Sequence, residues 1–473
     1  MDILDLPQEI LGHILSYLHP ATIVRFGQTC KHAHDFIGPR NQILWKSAFS
    51  HVFDDPNDAW SLMPGTSRAP NGTPVEWDWH WELVGRLRAL QVIRSKWRVA
   101  DEHDHLEKHL NAVLSMLDTA KFAPTARELA NGKVPLEDDR YLSLNLQILS
   151  DLDRYRDGLE NLIHDTGTPQ CIKYSGSDGN PWNSPRYPVT RSMSFDEHEK
   201  HRPESASRLH VLYGLTVRER ITHKARGAAR RKVYDWHRVG PDNDYGPFKR
   251  DGSGHVDWSL LEGVCSVISR SFEMCVDGHI AMPQGLSFSI PHRSLIDPTT
   301  PTDWARVTGH WLGTYSFLDF ADLFAYNTWH GDARPRLDDE PEACGDLMKL
   351  ELKLDDTLSG DPRLHTSLPV CTDLPMLFFS GLSRAHVGVH RPAVGIRGCA
   401  CLVPGGREVR WRFIISYGGE DQWQLEGIQP GGIRSGGVYG LWSQCDHDTN
   451  GPVGPFCYFP AELCKSTSVV LLA

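Results

Sequence analysis

No run of 18 apolar residues occurs anywhere in the 473-residue sequence, so no segment reads as a membrane-crossing helix. The opening, Met1-Asp2-Ile3-Leu4-Asp5-Leu6-Pro7, lacks the basic and small-residue features of a secretory leader. The 11 cysteines contain no Cys-x-x-Cys pair. The closest two, Cys399 and Cys401, straddle one alanine and would share a strand face. An odd count without a framework argues against a disulfide-stapled domain and fits the reducing cytosol or nucleus. Positive charge is also short. Lys and Arg number 49 against 60 Asp and Glu, for a net charge of −11, the reverse of a dedicated nucleic-acid binder. Catalytic signatures are missing: there is no nucleophile elbow, Walker loop or His-Glu-x-x-His helix. The segment 251–254, Asp-Gly-Ser-Gly, lacks the alternating ligands of a calcium loop and reads as a turn. No cofactor and no metal is called for.

What is present starts at the N-terminus. Apolar residues at 6, 10, 11, 14, 15 and 18 have helical spacing. Pro7 suits a helix start, and Glu9 suits the positive end of the helix dipole. A second short helix is expected over 21–30. A third is expected after Gly38-Pro39, carrying Leu44, Trp45, Ala48, Phe49 and Val52. Three short helices make a very small core, marginal alone and open to support from a partner. The residues Leu-Pro-Gln-Glu-Ile at 6–10, Tyr17-Leu18, an Arg before Cys30-Lys31, and Leu44-Trp45 together resemble the F-box. That resemblance implies binding to the Skp adaptor of cullin–RING ubiquitin ligases. It implies an adaptor contact built from Leu6, Pro7, Glu9, Ile10, Ile14 and Leu15, with Trp45 in or beside it. Ordinary core packing is the other reading of each apolar member.

The middle is read as a linker and helical segment over 53–163, a flexible loop over 164–206 and a mixed helical connector over 207–300. Two apolar stripes run through 81–117 and a third candidate helix lies in 139–163. His103, His105 and His109 sit close together, but without a carboxylate to complete a metal set they read as a solvated helix face. The stretch from Arg218 to Lys232 carries seven Lys and Arg against one Glu, again expected to be a solvated face. This central part resembles that of fungal F-box proteins.

From about residue 305 the period changes to two. Trp311, Gly313, Tyr315 and Phe317 share one face. So do Met348, Leu350, Leu352 and Leu354, and Val409, Trp411, Phe413, Ile415 and Tyr417. Repeated half-buried strands with Gly-rich turns predict an antiparallel sandwich or closed barrel over 301–473. The Trp-x-Gly-Thr-Tyr start at 311–315, the Ser-Tyr-Gly-Gly-Glu-Asp core at 416–421 and Asp446-His447-Asp448 resemble the lipocalin-like C-terminal domain of the F-box-only subfamily that degrades cyclin D. The resemblance implies a pocket for the C-terminal tail of a protein. Trp311, Tyr315, Trp423, Trp442, Tyr458 and the cations Arg410 and Arg434 are its candidates. Core packing is an equal reading for each aromatic. Arg410 and Arg412 lie opposite the aromatic stripe and are expected to face solvent, although a buried Arg could grip a carboxylate in a fork. Asp446, His447 and Asp448 read as a turn, not a metal site.

The fold expected is therefore α+β multidomain: an F-box over 1–52, a helical middle and a lipocalin-like barrel. The function expected is substrate recognition in a Skp–cullin–F-box ubiquitin ligase, non-catalytic, with neither nucleic acid nor membrane as partner. A small-molecule carrier or free-standing peptide-binding barrel is the alternative.

Overall fold

The computed structural model describes residues 3–57, 76–95, 106–120, 143–164, 202–276, 280–290, 302–330, 334–337, 342–385, 394–433, 435–448 and 450–464. Described residues up to Leu209 form one compact unit and those from His210 a second. The F-box and the helical middle thus share one unit, while the expected connector over 207–300 falls almost wholly in the barrel's unit. Most of the expected loop over 164–206 lies outside the described residues, as do His103 and His105.

The first unit opens with α1 (Gln8–Ser16), α2 (Pro20–Gly27), α3 (Lys31–Phe36) and α4 (Gln42–Ser50). The helix expected over 21–30 is α2, and α3 is a further helix beyond it, so four short helices stand where three were expected. Cys30 adopts extended backbone and its Sγ accepts from the Ala33 N–H at 3.4 Å, which starts a new helix. Leu11, Leu15, Ile23, Leu44, Trp45 and Phe49 are all buried. The Trp45 indole N–H donates to the carbonyls of Ile37 and Gly38 at 3.1 and 3.2 Å.

Helices α5 (Trp79–Arg94), α6 (Leu106–Asp118), α7 (Leu144–Asp151) and α8 (Arg156–His164) extend this core. Arg86 joins α5 to its surroundings. Its side chain is fully buried, lies over the Phe49 and Phe53 rings, and donates to Glu82, Ser115 and Thr119. Burial holds its pKa below the usual value despite Glu82. Asp54 accepts from the Leu144 N–H and the Ser143 hydroxyl, fixing the start of α7. His109 is buried on α6, so the solvated face expected for it is not found.

α8 crosses α5 so closely that a Cβ on Gly158 would lie 2.0 Å from the Ile93 carbonyl oxygen. Gly158→Ala is expected to lower the stability of this unit by about 1–3 kcal/mol through overpacking, read as a shift in urea midpoint. Backbone cannot yield as a side chain tip can, so a neutral result would mean that the helices separate freely.

The second unit contains α9's last turn (α9, Glu204–Tyr213), α10 (Val217–Ile221), α11 (His223–Val233), α12 (Trp258–Cys275) and α13 (Phe320–Thr328). Among the described residues are nine strands: β1 (Gly309–Phe317), β2 (Ala343–Cys344), β3 (Met348–Leu354), β4 (Leu377–Ala385), β5 (Val394–Leu402), β6 (Val409–Tyr417), β7 (Glu420–Gln429), β8 (Val438–Gln444) and β9 (Val453–Pro460), with the alternating segments at 311–317, 348–354 and 409–417 in β1, β3 and β6. All pairs are antiparallel. β1 and β3 to β9 close into an eight-stranded barrel through β1–β9 pairing, Trp311 opposite Pro460 and Gly313 opposite Tyr458. The two-residue β2 is an appendage on the end of β1. Closure leaves no exposed edge in the main sheet.

α12 begins at Asp257, whose carboxylate accepts from the Leu260 N–H at 2.9 Å. Leu261, Val264, Ile268 and Phe272 on this helix join Leu312, Leu441, Cys457 and Phe459 from the outer faces of β1, β8 and β9 in one core. Phe272 meets Phe459 edge to face at 5.0 Å. The segment 251–254 is the turn expected, with Phe248 bridging to Val256.

Beside α12 lies a buried ionic cluster. His210 Nε2 pairs with Glu219 at 2.8 Å and Nδ1 with Glu262 at 2.5 Å, and Lys232 reaches Glu262 at 3.5 Å. Arg230 is likewise buried and pairs with Glu342 at 3.2 Å. The basic stretch is therefore partly interior, contrary to the solvated face expected. Its cations neutralise acids that the sequence places far away. Burial pushes His210 down, but Glu219 and Glu262 outweigh it and raise the imidazole to about 9. Burial pushes Glu219 up, and His210 outweighs it, bringing the carboxyl to about 2.

The signs give a window. The raised His210 stabilises fully below its ordinary 6.5 and loses that contribution as pH climbs through about 9. The depressed Glu219 stabilises above its ordinary 4.5 and loses that contribution as pH falls through about 2. The urea midpoint of the second unit should fall between pH 6.5 and 9, and His210→Gln should flatten that slope. A slope unchanged in the variant would mean that another group carries it.

Candidate functional site

Two surfaces stand out, one on each unit. On the first, α1 is amphipathic, with Leu11 and Leu15 turned inward and Ile10 and Ile14 turned out at 49% and 40% exposure. Tyr17, Val24 and Ile43 are also exposed, Ile43 at 87%. Pro7, Glu9 and Ile10 are exposed and Leu6 is half-buried. The predicted adaptor set is therefore split. Pro7, Glu9, Ile10 and Ile14 are available to a partner, whereas Leu15 and Trp45 are buried inside the unit's own core. Helical periodicity gives both groups one broad stripe. It does not say which part of the stripe the neighbouring helices cover.

On the second unit the barrel interior is filled. Trp411 lies at its centre, 5.1 Å from Trp311, 5.7 Å from Phe379 and 5.9 Å from Phe413. Tyr458 packs 5.5 Å from both Phe413 and Phe456. Gly313 makes room for this: a Cβ there would lie 2.1 Å from the Tyr458 ring. Trp304 and Val307 belong to the same interior core. Trp304 donates to the Pro375 carbonyl at 2.8 Å and Trp311 to the Val307 carbonyl at 3.1 Å. Trp311 and Tyr458 are thus core residues of the barrel.

The opposite end, where β1, β6 and β8 finish and β7 and β9 begin, carries a half-open aromatic mouth. Trp423 meets Trp442 edge to face at 5.1 Å, and Tyr315 meets Trp442 at 6.2 Å. Phe317 stacks on Tyr315 at 6.3 Å. The Trp442 indole N–H donates to the Ser316 carbonyl at 3.0 Å, which fixes its plane. Tyr315 and Tyr417 are 39% and 46% exposed. Three of the predicted pocket residues, Tyr315, Trp423 and Trp442, come together here. Phe317 and Tyr417 join them and were missed as ligand candidates, although both continue the apolar alternation of their strands. Lys349 on β3, opposite Leu312 of β1 and Arg384 of β4, shares with them the outer face of the wall and is not part of the mouth. Arg434 lies outside the described residues.

Arg410 is neither solvent-facing nor in the mouth. It is buried on the outer wall of β6, beneath the segments 241–248 and 362–367. It donates to Glu426 at 2.8 and 3.0 Å, to Asp244 at 2.8 Å and to Thr366, with its guanidinium over the Phe248 ring. Arg412 takes the other Glu426 oxygen, reaches Asp244 at 3.2 Å and donates to the carbonyls of Arg363 and His365. The solvent face expected for both arginines is overturned. Two cations and two carboxylates lock two long loops to the barrel wall, and Arg410 has its forked donors engaged with internal acids. Arg410 and Arg434 therefore add no described group to the mouth.

His447 stacks on Tyr245 with ring centroids 3.6 Å apart, and 445–448 is the turn expected. Among the described residues no group of three or more His, Cys, Asp or Glu is placed to hold a metal. No helix there is long and apolar enough to cross a membrane.

Residues 3–51 match the F-box-like family model. This covers α1 to α4, so the N-terminal unit contains an F-box-like domain. No curated protein matches the chain, and no solved structure matches it.

Proposed function

We propose that the chain is the substrate receptor of a Skp–cullin–F-box ubiquitin ligase. The observation that carries this reading is the F-box-like match over residues 3–51. The exposed apolar side chains of α1 supply a contact for the Skp adaptor, and through it the cullin. The chain does no bond chemistry itself under this reading. It raises the local concentration of a substrate lysine near the charged conjugating enzyme. Its place of action is the cytosol or nucleus.

The barrel mouth is the substrate site in this reading, and its ligand is a protein tail. Tyr315, Phe317 and Trp423 offer aromatic faces to one apolar side chain, backed by the buried Trp442. A carrier role fits less well, because Trp411, Phe413, Phe379 and Trp311 fill the space that a carried small molecule would need.

The test is capture, from a library of C-terminal peptides, by the full chain and by Trp423→Ala. The variant is expected to lose at least about tenfold in affinity, since truncating a buried aromatic anchor costs about 2 kcal/mol or more. Capture of adaptor should be unchanged. Equal peptide capture by both chains would remove the mouth as the substrate site.

A further inference from the structure

Two cysteines far apart in sequence meet beside the mouth. Cys275 ends α12, and Cys344 lies in β2 opposite Ser316 of β1. The Cys275 thiol donates to the Gly345 carbonyl at 3.2 Å and sits 3.8 Å from the Thr314 hydroxyl. Cys344 and Ser316 are cross-strand partners and share a face, and that face meets α12, one turn before Cys275, at Ser271. The Ser316 hydroxyl donates to the Ser271 hydroxyl at 2.6 Å.

Both thiols are half-buried, whereas Cys265, Cys399, Cys401, Cys445, Cys457 and Cys464 are buried. A small oxidant reaches the first two more readily. The neighbouring polar groups, Cys275 first and then Ser271 and Ser316, outweigh burial and hold the Cys344 thiol below its usual value, so Cys344 is the nucleophilic member. The pair also touches the site described above. The Gly345 N–H donates to the Tyr315 carbonyl at 2.8 Å, and a Cβ on Gly345 would lie 2.5 Å from the Tyr315 ring.

We propose that Cys275 and Cys344 are a dithiol pair that hydrogen peroxide converts to a disulfide, tying β2 to the end of α12 next to the aromatic mouth. The Cys344 thiolate attacks one peroxide oxygen. An S–O bond forms, the O–O bond breaks, and the departing hydroxide takes a proton to become water. The Cys275 sulfur then attacks Cys344. The S–S bond forms, the S–O bond breaks, and the second oxygen leaves as water with the thiol's proton. Two sulfurs lose two electrons in all, and one peroxide is reduced to two waters.

Peroxide titration of the full chain, followed by alkylation and non-reducing peptide mapping, tests the pair with no peptide ligand present. It therefore stands apart from the question of what the barrel binds. The expected result is loss of two alkylatable thiols and a dithiothreitol-reversible cross-link between the peptides holding Cys275 and Cys344. Cys275→Ser should instead trap Cys344 as a sulfenic acid that dimedone labels, and Cys344→Ser should leave Cys275 alkylatable. The proposal is overturned if both thiols stay alkylatable while the exposed Cys30 oxidises, or if Cys275→Ser yields no dimedone label at Cys344.

Discussion

Glu426→Gln is expected to destabilise the barrel unit by about 3–5 kcal/mol, the usual loss when one member of a buried ion-pair group is removed. Glu426 is 0% exposed and both of its oxygens are occupied, one by Arg410 and the other by Arg412 and Gln424. Wild type balances two arginines with Glu426 and Asp244. The variant leaves one uncompensated positive charge in a buried part of the wall. Replacing Arg410, Arg412, Glu426 and Asp244 together by apolar residues of similar volume should cost less than the single change, because no ion is then stranded. Urea unfolding followed by tryptophan fluorescence compares the two. A loss below about 1 kcal/mol for Glu426→Gln would place the cluster in the class of weak, solvent-screened pairs. The same cluster sets an acid limit. Burial pushes Asp244 up, but Arg410, Thr366 and Arg412 outweigh it and hold the carboxyl below its ordinary 3.8. Its contribution is therefore complete above 3.8 and lost as pH falls below it. Asp244→Asn should remove that part of the acid transition.

The strands were legible because a barrel wall imposes period two on every crossing. The faces read from Trp311-Gly313-Tyr315 and from Val409-Trp411-Phe413 are the interior faces. The F-box was legible from residue order, since helical spacing alone allows any small helical cap. The outer wall was not. Arg410 and Arg412 alternate with the aromatic stripe as solvent-facing residues would. Their partner Asp244 is 166 positions from Arg410, and no local pattern announces a loop folding over a strand. The basic stretch misled in the same way. Arg230 and Lys232 look exposed until Glu342 and Glu262 are brought against them. The mouth was partly legible, because an aromatic at a strand end and one at mid-strand share the same alternation. Only the register of the closed sheet separates Tyr315 and Trp423 at the rim from Trp311, Trp442 and Tyr458 inside.

Ile10→Asp combined with Ile14→Asp is expected to weaken Skp-adaptor capture by at least about 100-fold, taking about 2 kcal/mol or more for each apolar anchor lost and about 1.4 kcal/mol per tenfold. Both side chains are already substantially exposed, so the urea midpoint of the unit should hardly move. Leu15→Ala and Trp45→Ala should behave in the opposite way. Each empties a buried site, at a cost of about 2–5 kcal/mol. Trp45→Ala also strands the Ile37 and Gly38 carbonyls that its indole satisfies. Those variants would lose adaptor capture only because the helices presenting Ile10 and Ile14 no longer hold together. Circular dichroism and urea unfolding beside each pull-down separate the two cases. Full capture by a folded Ile10→Asp/Ile14→Asp chain would move the adaptor contact off α1. A normally stable Trp45→Ala chain that fails to capture would instead place Trp45 in the contact, at odds with its 2% exposure. The split between exposed and buried members of one helical stripe therefore predicts two phenotypes that an undifferentiated F-box motif would merge into one.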